Sequence, residues 1–398
     1  MVLVKLINHA CFSIERKDSL TLMDPWFFGR IFNNSWSLIR ETDLQSVDGI
    51  DKLKHIVISH EHPDHLHWPT LKQIKEYSEN DITVYMPYRS NDNVKKEIEK
   101  IGFNFEYLLP KVSFEVEKDF YVTPFPVGHD AAIVFSIDGK VLLNQNDAYL
   151  TDSQCNELKN FFPKIDSWWM QFSLAGYYAN KNDSELLMQK GHNFHIEEFK
   201  KYQNFFQPNT STPFASFCYF CKHFNSYLND FAVTPKILQD NCGLDLQVLC
   251  YNQEMDWDYA GDSISTVEEW GQIYDLERTV DSYPDSVPQE EIVSNGEKMF
   301  SSHDYNNNYS PSALFKLYDY EDHLLNIDFK NKEISFIEAI DYDESMVAGI
   351  TSSDEINSYL KFPWGADTLN ITAAFEILNE DLRRKMLVFR DSLYARKV

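Results

Sequence analysis

Short apolar runs separated by turn residues dominate the first half of the chain and predict many strands. Residues 2–7 and 11–15 pattern as a hairpin around Asn8-His9-Ala10, and residues 20–23 as a third strand ending at Asp24-Pro25-Trp26. Ile56-Val57-Ile58 reads as a buried strand. It runs into a polar cluster, Ser59 to His67, whose Pro63 no strand interior would keep. Helical periodicity follows over residues 69–77, with Pro69 in the first turn, and over 91–101, stopped by Gly102. Strands are predicted at 82–86, 112–116, 120–124, 131–137 and 141–143, the last two joined by an Asp138-Gly139 turn. A helix capped by Thr151 or Asp152 runs to Phe162, a strand covers 166–172, and residues 194–206 are again helical.

The pattern changes beyond about residue 235. Residues 256–285 are acidic and polar, and 236–287 reads as an acidic linker or surface segment. Alternation returns from 288, with a hairpin at 324–329 and 333–337 around Asn331-Lys332 and a helix at 352–360. The predicted organisation is therefore a domain over 1–235, the linker over 236–287, and an α+β extension over 288–398.

Composition narrows the function. At 43% hydrophobic residues the chain can bury a core. A formal net charge of -26 repels nucleic-acid phosphates and anionic lipid, while a small anionic substrate is still open to a protein that binds a metal. No stretch approaches the roughly 20 apolar residues of a membrane span. The N-terminus lacks a leading basic region and a cleavage site, so it reads as a strand and not a signal peptide. Six cysteines without a dense framework suit a reducing cytoplasm, and Cys218-x-x-Cys221 reads as buried thiols.

Histidine carries the chemistry. Of 12 in the chain, five fall between positions 55 and 67. His60, His62, Asp64 and His65 offer imidazole and carboxylate donors on one loop, the ligand types of catalytic zinc, iron or manganese sites. Downstream, Gly128-His129 and the strand-end acid Asp147 are further donors. Trp168, Trp169, Tyr177 and Tyr178 read as core aromatics, with a pocket lining as the alternative.

The His60-x-His62-x-Asp64-His65 stretch after a strand resembles the signature of the metallo-β-lactamase superfamily. The resemblance implies a four-layer αββα sandwich with one or two divalent metal ions, zinc or iron, at one edge. It assigns His60, His62 and His129 to a first metal, Asp64 and His65 to a second, and Asp147 as a bridge, with Asp64 the residue that would serve catalysis. Asp24 would support a ligand histidine from behind. His9 is either a second supporting residue or an ordinary turn residue. In the lactonase-like branch a Pro-x-His supplies the last ligand of the second metal, but here Pro213-Phe214-Ala215 puts alanine there, which makes His223 the nearest substitute. The Asp-Pro-Trp turn, Asn146-Asp147, Gln171-Phe172-Ser173 and Pro213-Phe214-Ala215 are similar to the non-Rieske part of the CMP-N-acetylneuraminate hydroxylase family. This chain carries no Rieske motif.

Two activities follow from the resemblance. The first is a metal-dependent hydrolase acting on a small-molecule ester, lactone, amide or phosphoester. The alternative is a non-haem iron oxygenase supplied with electrons by an external reductase. A binding module without catalysis is the third class, and a homo-oligomer is left open.

Overall fold

The computed structural model describes residues 2–242, 246–259, 263–281, 285–301, 312–340, 342–362, 364–381 and 384. Two six-stranded sheets lie face to face. The first runs, edge to edge, through Leu3–Asn8, Cys11–Arg16, Ser19–Met23, Leu53–Val57, Thr83–Pro87 and Asn104–Leu108. The second runs Thr210–Phe214, Ser167–Gln171, Lys140–Asn146, Asp130–Ile137, Phe120–Val127 and Phe114–Glu117. Strand alternation sorts neighbouring residues to opposite layers. Ile56 and Ile58 pack outward with Leu71 and Ile74 of helix Trp68–Tyr77 and Ile98 of helix Asn93–Ile101. Val57 between them belongs to the cluster of Phe12, Phe135 and Trp169. Trp168 faces Phe199 of helix Phe194–Phe206 with ring centroids 4.6 Å apart, while Trp169 meets Phe12 at 5.0 Å. Phe12 also touches Phe135 at 5.5 Å and Phe214 at 5.6 Å, so one ring of the first sheet locks three strands of the second. This is the αββα sandwich the sequence predicted.

Local turn chemistry is realised as read. Asp138 and Gly139 take φ 49° and 83°, the two left-handed positions of a tight hairpin turn. Gly102 closes its helix with φ 106°. Thr151 forms a capping box with Gln154 over helix Asp152–Phe161, leaving Asp147 free of capping duty. Strand Asn104–Leu108 was not predicted. It buries only Phe105 and Leu108 fully and takes its form from parallel pairing with Thr83–Pro87.

The linker reading of 236–287 is corrected. Within it, Asn252 N–H donates to Leu6 O at 2.7 Å and Met255 N–H to Val4 O at 2.7 Å, so this stretch pairs along the outer edge of the first strand. Helix Ile264–Tyr274 turns Glu268 and Glu269 outward and buries Val267 and Trp270. Trp270 stacks on Phe217 at 4.2 Å and donates its Nε1–H to Leu249 O at 2.9 Å. Glu268 and Glu269 form the exposed face of an amphipathic helix, and the flanking acids Asp256, Asp258, Asp275 and Glu277 lie outside it, so composition alone read as linker or surface.

The described residues between 289 and 381 form an α+β unit with its own core, including Ile292, Phe315, Leu325, Ile356 and Tyr359. Its five strands run Glu333–Glu338, Tyr320–Asp328, Ala313–Leu317, Val347–Thr351 and Phe375–Ile377. Asp328 pairs with Glu333 across the predicted hairpin turn. Of the predicted extension, 302–311 and 385–398 lie outside the described residues. Aromatic stacking joins the unit to the sandwich, Tyr177 on Phe375 at 4.7 Å and Phe224 on Tyr318 at 4.4 Å. No helix among the described residues is long and apolar enough to cross a membrane.

Trp270→Ala should destabilise the protein by about 3–5 kcal/mol, the usual cost of emptying such a site. It should also open residues 264–274 to limited proteolysis. A variant as stable and as protease-resistant as the parent would mean that this helix is a surface appendage.

Candidate metal centre

Strand Leu53–Val57 delivers the chain to the end of the first sheet, and a tight turn takes over. His65 N–H and Leu66 N–H both donate to His62 O, at 2.9 and 2.7 Å. That turn folds His60, His62 and His65 to one side, with His60 and His65 ring centroids 4.1 Å apart and His60 Nε2 2.8 Å from His62 Nδ1. The second sheet supplies carboxylates. Asp130 opens strand Asp130–Ile137, and Asp147 follows strand Lys140–Asn146. His60 Nε2 lies 3.6 Å from Asp130 Oδ1 and 3.4 Å from Asp147 Oδ2, and His62 Nδ1 lies 3.9 Å from Asp130 Oδ1. Donor atoms of His60, His62, Asp130 and Asp147 all fall within 4.8 Å of one another.

A second group adjoins the first through Asp147, whose Oδ2 is 3.6 Å from His65 Nε2. Asp64 Oδ2 is 3.1 Å from His65 Nε2 and 3.4 Å from His9 Nε2. His9 is buried edge-on to Trp26 at 5.4 Å. Its side chain therefore faces the second group. Ala215 N–H donates to His9 O at 2.8 Å. The alanine thus stands beside the one histidine that approaches the second group from the N-terminal hairpin.

Behind these donors sits Asp24, fully buried. It accepts from Ser59 N–H at 2.7 Å, Ser59 Oγ–H at 2.6 Å and Asn146 Nδ2–H at 2.9 Å, and lies 2.8 Å from His65 Nδ1. A carboxylate on Nδ1 leaves Nε2 of His65 turned toward Asp64 and Asp147, the arrangement by which outer partners orient metal-binding imidazoles. Asn146 reaches Asp24 because it takes a left-handed φ of 58° at the end of its strand.

The electrostatics fit a cation. Burial opposes charge on Asp147, but His60 and His65 pull its pKa well below the usual carboxylate range. Burial and then the Asp147 charge push neighbouring Asp130 up to about 7. Two carboxylates so close are costly unless positive charge sits between them. Burial holds His60 neutral, the form that ligates. For His65 burial is outweighed by Asp64, Asp147 and Asp24, which raise its pKa. His9 Nδ1, Asp64 Oδ1, His65 Nε2 and Asp147 Oδ1 are buried with no hydrogen-bond partner among the described residues. Such a donor set, orphaned and convergent, suits a metal ion.

Two assignments need correction. His129 does not join the cluster. It is exposed in the two-residue turn that links paired Val127 and Asp130, and its carbonyl accepts from Arg89. The turn carries the side chain past the site, and Asp130 takes the position expected of His129. A two-residue turn at Gly128-His129, with Gly128 at φ 63°, was readable from sequence and would have put Asp130 at the strand start. His223 is also exposed and on a turn, beside Phe224. It falls within none of the donor groupings. His195 is taken up by Tyr149 and Tyr178, each 2.8 Å from one of its ring nitrogens.

Residues 22–149 match the model of the Beta-lactamase superfamily domain. The chain is similar to the cytidine monophosphate-N-acetylneuraminic acid hydroxylase of Cricetulus griseus, 35% identical over 85 residues, which is 21% of this chain and 15% of that protein. The protein of the same name from Danio rerio is 33% identical over 98 residues, 25% of this chain and 16% of that one. The chain thus spans well under two thirds of these relatives' length. Among solved structures, the metallo hydrolase Igni18 from Ignicoccus hospitalis has a TM-score of 0.42 at 14% identity, over 64% of this chain and 97% of that one. CmlA, a diiron β-hydroxylase from Streptomyces venezuelae, has 0.44 at 13%, over 64% and 54%.

Asp130→Ala should lose bound metal on dialysis while His129→Ala keeps it, as read by elemental analysis. Asp24→Asn should weaken metal affinity by roughly 10- to 100-fold. The reverse order for positions 129 and 130 would restore the histidine assignment.

Proposed function

We propose, taking the beta-lactamase superfamily domain at residues 22–149 as the premise, that the protein is a metal-dependent hydrolase of small molecules. The ester, lactone, amide and phosphoester classes all fit. The observation that carries the reading is Asp147. It comes from the second sheet and stands 3.4 Å from His60 and 3.6 Å from His65 of the first, between two donor groups. A divalent metal there, zinc or iron, supplies Lewis acidity toward a carbonyl or phosphoryl oxygen and lowers the pKa of water. His60, His62, Asp130 and Asp147 would hold one ion. Asp64, His65 and the shared Asp147, with His9 alongside, would hold a second or orient the attacking water. Burial opposes ionisation of Asp64, but His65 and His9 keep it ionised. As a carboxylate it can hold a metal or accept a hydrogen bond from the attacking water at Oδ1, which no other group engages among the described residues. The small-molecule substrate and the reducing cytoplasm, suggested by six free cysteines, are part of the same proposal.

The second reading is an iron oxygenase fed by a separate reductase. The 35% identity to the hydroxylase favours it over the 85 matched residues. So does the Tyr149–His195–Tyr178 chain of hydrogen bonds, which starts two residues after Asp147.

Protein purified without added metal should contain zinc, be colourless, and hydrolyse p-nitrophenyl esters or bis(p-nitrophenyl) phosphate. A chelator should abolish that activity and zinc restore it. Asp64→Asn should lower kcat by about 100-fold or more while the ion held by His60, His62, Asp130 and Asp147 is retained. Iron, colour and an oxygen-dependent spectral change, without turnover of either ester, would replace this reading with the oxygenase.

A further inference from the structure

Three consecutive residues without glycine, Phe32, Asn33 and Asn34, take left-handed φ values of 47°, 53° and 59°. Asparagine tolerates this conformation, but phenylalanine adopts it only where the surroundings force it. The Phe32 ring is buried, edge-on to Trp36 at 4.9 Å and to His62 at 6.1 Å. His62 is the most open donor of the cluster, with 36% side-chain exposure against 1% for His60. A molecule approaching the centre from the side of His62 meets Phe32.

The turn is gripped from the C-terminal unit. Asn33 Nδ2–H donates to Asp354 Oδ2 at 3.3 Å and Ser35 Oγ–H to Glu355 Oε1 at 3.4 Å. Lys222, buried, pairs with both acids, with Asp354 Oδ2 at 2.6 Å and with Glu355 Oε1. Asn225 Nδ2–H bridges Ser35 O at 3.2 Å and Thr372 O at 2.7 Å, and Trp36 Nε1–H donates to Ile371 O at 3.2 Å. Charges this buried persist only when well paired, and removing one partner strands the others. A surface linkage would need none of this. The contacts converge on one strained turn, and that turn carries one ring to the metal donors.

We infer that Phe32 is a specificity-determining wall beside the metal centre and that Glu355 and Asp354 of the C-terminal unit are positioning residues acting through it. The inference rests on the metal centre of the proposed function, not on which reaction occurs there. The C-terminal unit then limits the bulk of the group that lies beside His62 when an anionic substrate binds.

The test uses the full-length protein loaded with cobalt(II), whose visible bands are titrated with methylphosphonate and phenylphosphonate. Phe32→Ala should raise affinity for phenylphosphonate relative to methylphosphonate by roughly tenfold, the scale on which pocket volume discriminates. Cobalt stoichiometry should not change. Glu355→Gln should move the ratio the same way, by about threefold. Should that variant fail to fold, Asn33→Ala removes the contact to Asp354 together with the side chain that suits the left-handed turn, and should give the same direction. An unchanged or lowered ratio in Phe32→Ala with cobalt retained overturns the role of Phe32. A shift in Phe32→Ala with none in Glu355→Gln or Asn33→Ala overturns the positioning role of the C-terminal unit. No cobalt uptake by the parent protein overturns the metal-centre reading itself.

Discussion

The buried carboxylate of Asp24 ties the site to the fold. It has no exposure, and burial raises its pKa. A charge there is tolerable only because Ser59 and Asn146 donate to it and His65 faces it. Ser59 belongs to the first sheet's exit loop and Asn146 to the second sheet. One ion thus joins the two layers at the edge where the donors collect. The left-handed backbone at Asp24 and at Asn146 follows from the same demand, since both side chains must turn inward at strand ends.

The donor cluster is therefore a consequence of sheet geometry more than of any one loop. The histidine loop brings three imidazoles together by a turn closed on His62 O. The carboxylates arrive from the facing sheet, where Asp130 opens one strand and Asp147 follows the next, its antiparallel neighbour. Left alone, these acids repel, and burial together with the Asp147 charge raises Asp130 to about 7. A cation bound between them would relieve the repulsion.

The C-terminal unit is built into this arrangement. It has a core of its own, and its polar residues Asp354 and Glu355 reach into the joint with the sandwich. Lys222 is buried between Asp354 and Glu355, and a buried ion set of this kind favours one docking geometry over others more than it adds stability.

Periodicity and turn chemistry in the sequence determined the strands, the helix caps, the Asp138-Gly139 hairpin, the histidine loop and the strand-end acid Asp147. Each of these depends on residues within a few positions of one another, where alternation and φ preferences act directly. The choice of Asp130 over His129 was decided by hairpin register, which one turn residue more or less would reverse. The sandwich brought His9 to Asp64 across 55 residues and left His223 on an outer turn. The amphipathic helix with Trp270 looked like an acidic linker because its partner Phe217 lies on a distant segment. Asn33 meets Asp354 over 321 positions. No local pattern encodes such a contact, because its energy exists only once the intervening chain has closed and excluded water from the pair.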